Sequence, residues 1–184
     1  MEKMILKRKD GKNIEAELKE LDLSHVNKIM KLQDEIYEGL VNKDFYSCSK
    51  QEEFEDIINE KGKIIGLFTH DNNELIAIGV YVEYGLEEEN YGYDIQIKGE
   101  ELLKVGQIES TLVAENYRGN KLQKKICEHL EKISKAKDIK YICATVAPDN
   151  KYSLNTFIEL GYKILIEKLK YGGLKRYVLM KKYL

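Results

Sequence analysis

The stretch that constrains this chain most runs from Ile108 to Leu130, IESTLVAENYRGNKLQKKICEHL. Ile108 to Val113 is apolar and β-branched enough for a strand. Glu115 to Asn120 is a polar turn around Gly119. Leu122, Ile126, Leu130 and Ile133 then recur at helical spacing, with Lys124, Lys125, Glu128, Glu131 and Lys132 on the other side. Arg118-Gly119-Asn120-Lys121 falls where that helix begins. Unpaired N–H groups and the positive end of the helix dipole gather there, which favours a phosphate or pyrophosphate. Many α/β domains share such a strand–turn–helix, so alone it leaves the ligand open.

The flanking segments supply the other layers. Met4 to Lys9 and Asn13 to Leu18 flank Asp10-Gly11 and predict an opening hairpin. Ser24 is the expected cap of a helix with Val26, Ile29, Met30, Ile36, Tyr37 and Leu40 inward. Ser49 and Glu52 form a capping-box pattern for a second helix carrying Phe54, Ile57 and Ile58. Lys63 to Thr69 and Leu75 to Tyr84 predict two strands, and LIAIGVYV is apolar throughout, as in a strand covered on both faces. Glu83 to Lys104 is the least regular segment. From Glu83 to Glu101 it holds seven carboxylates and one lysine, with Tyr84, Tyr91 and Tyr93. Such a loop over a cleft could bind a cationic amine by charge and cation–π contact, or it could be a solvated surface loop. Tyr141 to Val146 predicts a buried strand, and Ser153 to Leu160 a short helix ended by Gly161. Lys163 to Leu169 and Arg176 to Lys181 predict a closing hairpin around Gly172-Gly173. Strands that cluster and then alternate with helices make a mixed sheet flanked by helices, in the α/β (α+β) class.

Composition narrows the function classes. The length, 184 residues, fits a single domain spanning 1–184 with a real core. A net charge of −2 offers no basic field for nucleic acid or an anionic membrane. No apolar run approaches the roughly 20 residues that span a bilayer, and the basic N-terminus lacks the apolar stretch of a signal peptide. Cys48, Cys127 and Cys143 form no Cys-x-x-Cys pair, which fits reduced thiols in the cytoplasm, Cys127 and Cys143 in the core. His25, His70 and His129 are not paired for a metal or with a nucleophile and read as solvated, so no metal is expected.

Val113-Ala114-Glu115-Asn116-Tyr117-Arg118-Gly119-Asn120-Lys121-Leu122-Gln123 resembles the acyl-CoA-binding segment of the GNAT N-acetyltransferases. That pattern is Gln/Arg-x-x-Gly-x-Gly/Ala, with a Val five residues before the Arg. Arg118 and Val113 fit it; Lys121 replaces the Gly and Gln123 the Gly/Ala. Ala147-Pro148-Asp149-Asn150, followed by Ser153, Phe157 and Leu160-Gly161-Tyr162, resembles the later strand–Asn–helix–LGF/LGY signature of the same family. The order of elements also matches, so the resemblance covers essentially the whole chain. It implies a GNAT fold: a mixed central sheet of about seven strands, flanked by about four helices. Its fourth and fifth strands, Ile108 to Val113 and Tyr141 to Val146, would splay apart with the acyl group in the gap.

By that resemblance, a pyrophosphate would lie on backbone N–H groups of Arg118, Gly119, Asn120, Lys121, Leu122 and Gln123. Main-chain groups of Leu112, Val113 and Ala114 would pair with the amide-bearing arm of the cofactor and hold the thioester oxygen. Asn150 and Ser153 would contact the arm, although Asn150 also suits a plain turn after Pro148-Asp149. Lys121, at a glycine position, is expected to keep ordinary helical φ. Acyl transfer also needs a neutral amine, and a lysine-like amine has a reference pKa of about 10.4. Glu109 is the best-placed base, working through burial or an ordered water, unless it is an ordinary outward strand residue. Phe157 stands where many family members have a proton-donating Tyr, and Thr145 stands at another position favoured for a base. Water, Tyr152, Tyr162, Tyr171 or a loop tyrosine must then protonate the thiolate, or the thiolate leaves unprotonated. The resemblance implies an acetyl-CoA-dependent N-acetyltransferase, acting by direct attack on an amine-bearing small molecule or protein. The oligomeric state is not readable from the sequence, although an exposed final strand could pair across a homodimer. The alternatives are an inactive acyl-CoA-binding sensor and an unrelated phosphate-binding module.

Overall fold

Residues 2–183 are described by the computed structural model, so both ends of the expected 1–184 domain, Met1 and Leu184, lie outside the described residues. In chain order the elements are β1 (Glu2–Lys7), β2 (Asn13–Glu20), α1 (Val26–Gly39), α2 (Gln51–Asp56), β3 (Gly62–Thr69) and β4 (Leu75–Val82). Then follow β5 (Val105–Val113), α3 (Leu122–Lys135), β6 (Tyr141–Val146), α4 (Lys151–Glu159), β7 (Lys163–Lys170) and β8 (Leu174–Lys182). The strands form one eight-stranded sheet in the order β1-β2-β3-β4-β5-β6-β8-β7. Only the β5–β6 pair is parallel, because α3 carries the chain back across the sheet between them. The strand beyond the expected seven is β1, the outer arm of the opening hairpin.

Every residue of β4 is buried because both faces of the sheet are covered. Ile78, Val80 and Val82 pack with Ile29, Leu32 and Ile36 of α1. Ile76 and Tyr81 pack with Ile126 and Leu130 of α3. Gly79 permits that second contact: a Cβ there would stand 2.1 Å from Cγ2 of Ile126.

Local hydrogen bonding shifts several expected boundaries. Asp22, not Ser24, is the cap before α1, accepting from the Ser24 N–H at 2.9 Å. The α2 capping box sits one residue later than expected, with Glu53 accepting from the Lys50 N–H at 3.0 Å. His25 is not simply solvated; it lies 2.8 Å from the Asp22 carboxylate and packs edge-on against Phe68. Glu131 is buried rather than on the solvent side of α3, because it pairs with Lys181 of β8 at 2.6 Å.

The 83–104 segment is anchored rather than loosely solvated. Buried Asn90 donates to the carbonyls of Gly85 and Leu102 and accepts from the Gly92 N–H. Four of the acidic side chains are held by lysines of neighbouring elements: Glu83 by Lys137, Glu87 by Lys61, Asp94 by Lys168 and Lys170, and Glu101 by Lys140. The charge expected to attract an amine is therefore largely structural, and Tyr91 is turned inward.

Candidate active site

The loop before α3 presents its backbone to solvent. Glycine at 119 takes φ +91°, and a Cβ there would meet nothing within 4 Å. Lys121, the N-cap, takes φ 56° and ψ 31°, the left-handed region, not the helical φ expected of it. Among the described residues, the backbone N–H groups of Gly119 through Lys124 find no backbone acceptor; the first helical bond is from the Lys125 N–H to the Lys121 carbonyl, at 3.1 Å. Arg118 and Lys121 are exposed beside this row, and neither belongs to an ion pair among the described residues. The Asn120 side chain is otherwise engaged. It accepts from the Lys7 N–H at 2.9 Å and donates to the Lys7 carbonyl at 2.8 Å, tying the loop to β1. Row, dipole and free cations together suit a pyrophosphate.

Strand β5 leads from this loop into a gap. The β5–β6 ladder runs from Val105↔Tyr141 to Ile108↔Ala144 and ends there. Beyond it, the rest of β5 pairs with β4, and Thr145 and Val146 pair with β8. The Ala114 N–H donates to the Ile76 carbonyl, and the Ala114 carbonyl accepts from the Tyr117 N–H. By antiparallel alternation Leu112 also faces β4, which leaves the main-chain groups of Val113 and Thr111 facing the gap.

A bulge re-aims the side chains at the start of the gap. Val80 pairs with Ser110 and Tyr81 with Ile108, so Glu109 is the extra residue on β5. Glu109 and Ser110 therefore both line one cleft of about 250 Å³, with Tyr46, Glu53, Tyr84, Glu89, Thr145, Tyr171 and Arg176. Oε2 of Glu109 accepts from Nε2 of Gln107 at 2.7 Å and from the Tyr91 hydroxyl at 3.0 Å. Burial pushes this carboxyl above its ordinary value, while those two bonds and the charge of Lys170 pull it back in part. The Tyr91 hydroxyl is in turn hydrogen-bonded to that of Tyr171, whose oxygen lies 3.0 Å from Oγ1 of Thr145. Burial pushes the Tyr171 hydroxyl up to about 12 and raises that of Tyr91 well above its ordinary value, so both stay protonated at neutral pH. A chain of hydroxyls thus joins Glu109 to Thr145, across the place where β5 and β6 part.

The model of the acetyltransferase (GNAT) family matches residues 26–162. The chain belongs to the GNAT family. No curated protein matches it in sequence. Among solved structures, a GNAT-family acetyltransferase from Streptococcus pneumoniae superposes with a TM-score of 0.68 at 15% identity, covering 91% of this chain and 98% of that one. The NatC complex bound to Gag peptide and CoA gives 0.70 at 14%, covering 92% and 99%. The PaiA N-acetyltransferase of Thermoplasma acidophilum in complex with coenzyme A gives 0.62 at 17%, covering 91% and 99%. The eight-stranded mixed sheet with its parallel β5–β6 pair is the GNAT fold.

In this GNAT chain the second signature lies across the gap from the first. Asn150 caps α4, accepting from the Ser153 N–H at 3.3 Å. Gln123 donates to Oγ1 of Thr111 at 3.0 Å and to Oγ of Ser153 at 2.8 Å, so its carboxamide bridges β5 and α4. Leu122 is core. Phe157 is core as well, edge-on to the Tyr162 ring at 5.0 Å. Cys127 and Cys143 are buried free thiols; burial pushes the Cys143 thiol up to about 12. Among the described residues, no group of three or more His, Cys, Asp or Glu is placed to hold a metal ion. No helix there is long and apolar enough to cross a membrane.

The sequence reading missed Gln107 and Arg176. Gln107 is buried and holds both Glu109 and the Tyr91 N–H, a role that only the bulge and the folded loop create. Arg176 did carry a signal: it shares one strand face with Val178, and a cation two residues from a core position marks an unusual burial.

Proposed function

We propose that this chain, as one GNAT domain, transfers an acetyl group from acetyl-CoA to a primary amine by direct attack in a ternary complex, without a metal. The observation that carries the reading is the open row of N–H groups from Gly119 to Lys124, on the same strand–helix unit whose parted β5 edge bears Glu109. Two structural neighbours have CoA in their complexes, which supports acetyl-CoA as the co-substrate. NatC has a peptide as well, which keeps a protein acceptor in view beside a small amine.

In this reading the N–H row, Arg118 and Lys121 hold the pyrophosphate, and Val113 and Thr111 face the arm. Acetyl-CoA supplies a thioester carbonyl; the amine nitrogen bonds to its carbon as the carbon–sulfur bond breaks. Glu109 takes a proton from the incoming ammonium. Tyr171, kept protonated by burial, gives a proton to the departing sulfur and recovers one from Glu109 through Tyr91. The second ammonium proton leaves to solvent. Tyr171 so fills the place that Phe157 leaves vacant.

A second reading rests on Gln123, which bridges the gap where the resemblance calls for Gly or Ala: an acyl-CoA-binding sensor without turnover. Thiol release with a broad amine panel separates the two. Release above the amine-free rate supports the transferase; saturable acetyl-CoA binding with no release for any amine supports the sensor.

A further inference from the structure

The cleft that holds Glu109 also holds a cation that proton transfer does not use. Arg176 lines it and is only 3% exposed. Among the described residues its guanidinium makes one hydrogen bond, from Nη1 to the carbonyl of Lys175 at 2.8 Å. It belongs to no ion pair there, although Glu53, Glu89 and Glu109 line the same cleft. Other sheltered cations of the sheet are paired: Lys170 with Asp94 and Lys181 with Glu131. Among the described residues, no nitrogen of this guanidinium is both sealed from solvent and without a partner, so its unpaired donors keep some contact with solvent. The Tyr171 ring, 5.6 Å from the guanidinium carbon, supports the group from one side. Burial also pulls its pKa below the ordinary value, and nearby Tyr171, Tyr91 and Asp44 offset this only in part.

A buried guanidinium with open donors presents a planar fork that matches a carboxylate in two parallel hydrogen bonds. The carboxylates of the same cleft favour an ammonium. A diamine would bring its second positive charge against Arg176 in a sheltered site, where repulsion is weakly screened. A cleft of about 250 Å³ has room for a molecule of amino-acid size. We propose that the acceptor is a small amino acid-like zwitterion, its carboxylate held by Arg176 and its amine delivered to Glu109. This rests on the acetyl-transfer reading and narrows it.

The test measures thiol release with saturating acetyl-CoA for the common amino acids, each beside its own carboxamide, together with putrescine and spermidine. At least one amino acid should be used about 30-fold or more better in kcat/KM than its carboxamide, as expected for a charge-assisted bidentate contact. In Arg176→Gln that ratio should fall to within about threefold through a rise in the KM of the amino acid, and Arg176→Lys should fall between. If Arg176→Gln does not fold, the wild-type ratio decides alone. A preference for diamines or carboxamides, an amino acid preference that survives in Arg176→Gln, or no turnover of any amine while acetyl-CoA binds, overturns the proposal. Acetyl-CoA binding is titrated on the same samples, and its absence would instead mark failure of the transferase reading itself.

Discussion

Glu109→Gln is the most informative single change. Both hydrogen bonds to the Glu109 side chain arrive at one oxygen, Oε2, from Gln107 and Tyr91. A glutamine can keep both by turning its carbonyl oxygen to those donors, which leaves its NH₂ where the second carboxylate oxygen was. The shape of the cleft is thereby preserved and the base removed. Loss of a positioned base costs about 10²- to 10⁴-fold in kcat, or ~3 to 5 kcal/mol of barrier. Acetyl-CoA affinity should stay within about twofold, because Glu109 lies mid-way along β5 while the N–H row starts at Gly119, beyond the end of that strand. The pH profile gives an independent sign. Glu109 must be ionised to act, and burial holds its pKa above the ordinary value, so the wild-type rate should fall as pH drops through that raised pKa. The variant should lose this acidic limb. Stability should move the other way from activity. A carboxyl whose folded pKa is raised lowers stability once pH rises through that pKa, so Glu109→Gln should melt higher at neutral pH, with the difference vanishing in acid. Stopped-flow thiol release and thermal melts across pH would measure all three. Wild-type turnover in the variant, or an acidic limb that persists, would refute the role of Glu109.

Three further changes test other parts of the site. Tyr171→Phe should lower kcat about 10²-fold with acetyl-CoA affinity unchanged; because the hydroxyl titrates at about 12, this group should cause no alkaline fall in the wild-type rate near neutral pH. Gly119→Pro cannot take φ +91° and removes an N–H from the row, so calorimetry should show acetyl-CoA binding abolished while far-UV circular dichroism is retained. Lys121→Gly should relieve a left-handed residue costing about 1–2 kcal/mol, less the ~0.5–1 kcal/mol that glycine loses in chain entropy. Its melting temperature should rise by about 1–3 °C, and a fall would show that Lys121 makes a stabilising contact in its place.

The layers of this fold were legible because their signals are local. The apolar run of β4 announced coverage on both faces, and Asp10-Gly11 announced the opening hairpin, with Gly11 at φ 86°. Arg118 and Gly119 marked the loop before α3 for the same reason: turn and helix start are adjacent in sequence. What stayed hidden depends on contacts distant in sequence. Nothing near Glu109 in the chain indicates that a bulge turns it into the cleft with Ser110. Tyr91 and Tyr171 meet although 80 positions apart. The role of the acidic segment stayed open for a related reason, since its partners Lys61, Lys137, Lys140, Lys168 and Lys170 come from parts of the chain that only the fold brings close. Lys121 was expected in helical φ because it starts a helix, but the glycine-like turn before α3 extends through it.

The account depends first on the loop before α3, and a calorimetric titration of the purified protein with acetyl-CoA tests it most directly. The prediction is saturable binding at one site per chain with micromolar affinity, and much weaker binding of ATP. No heat of binding with acetyl-CoA, or equal affinity for ATP, would contradict the account.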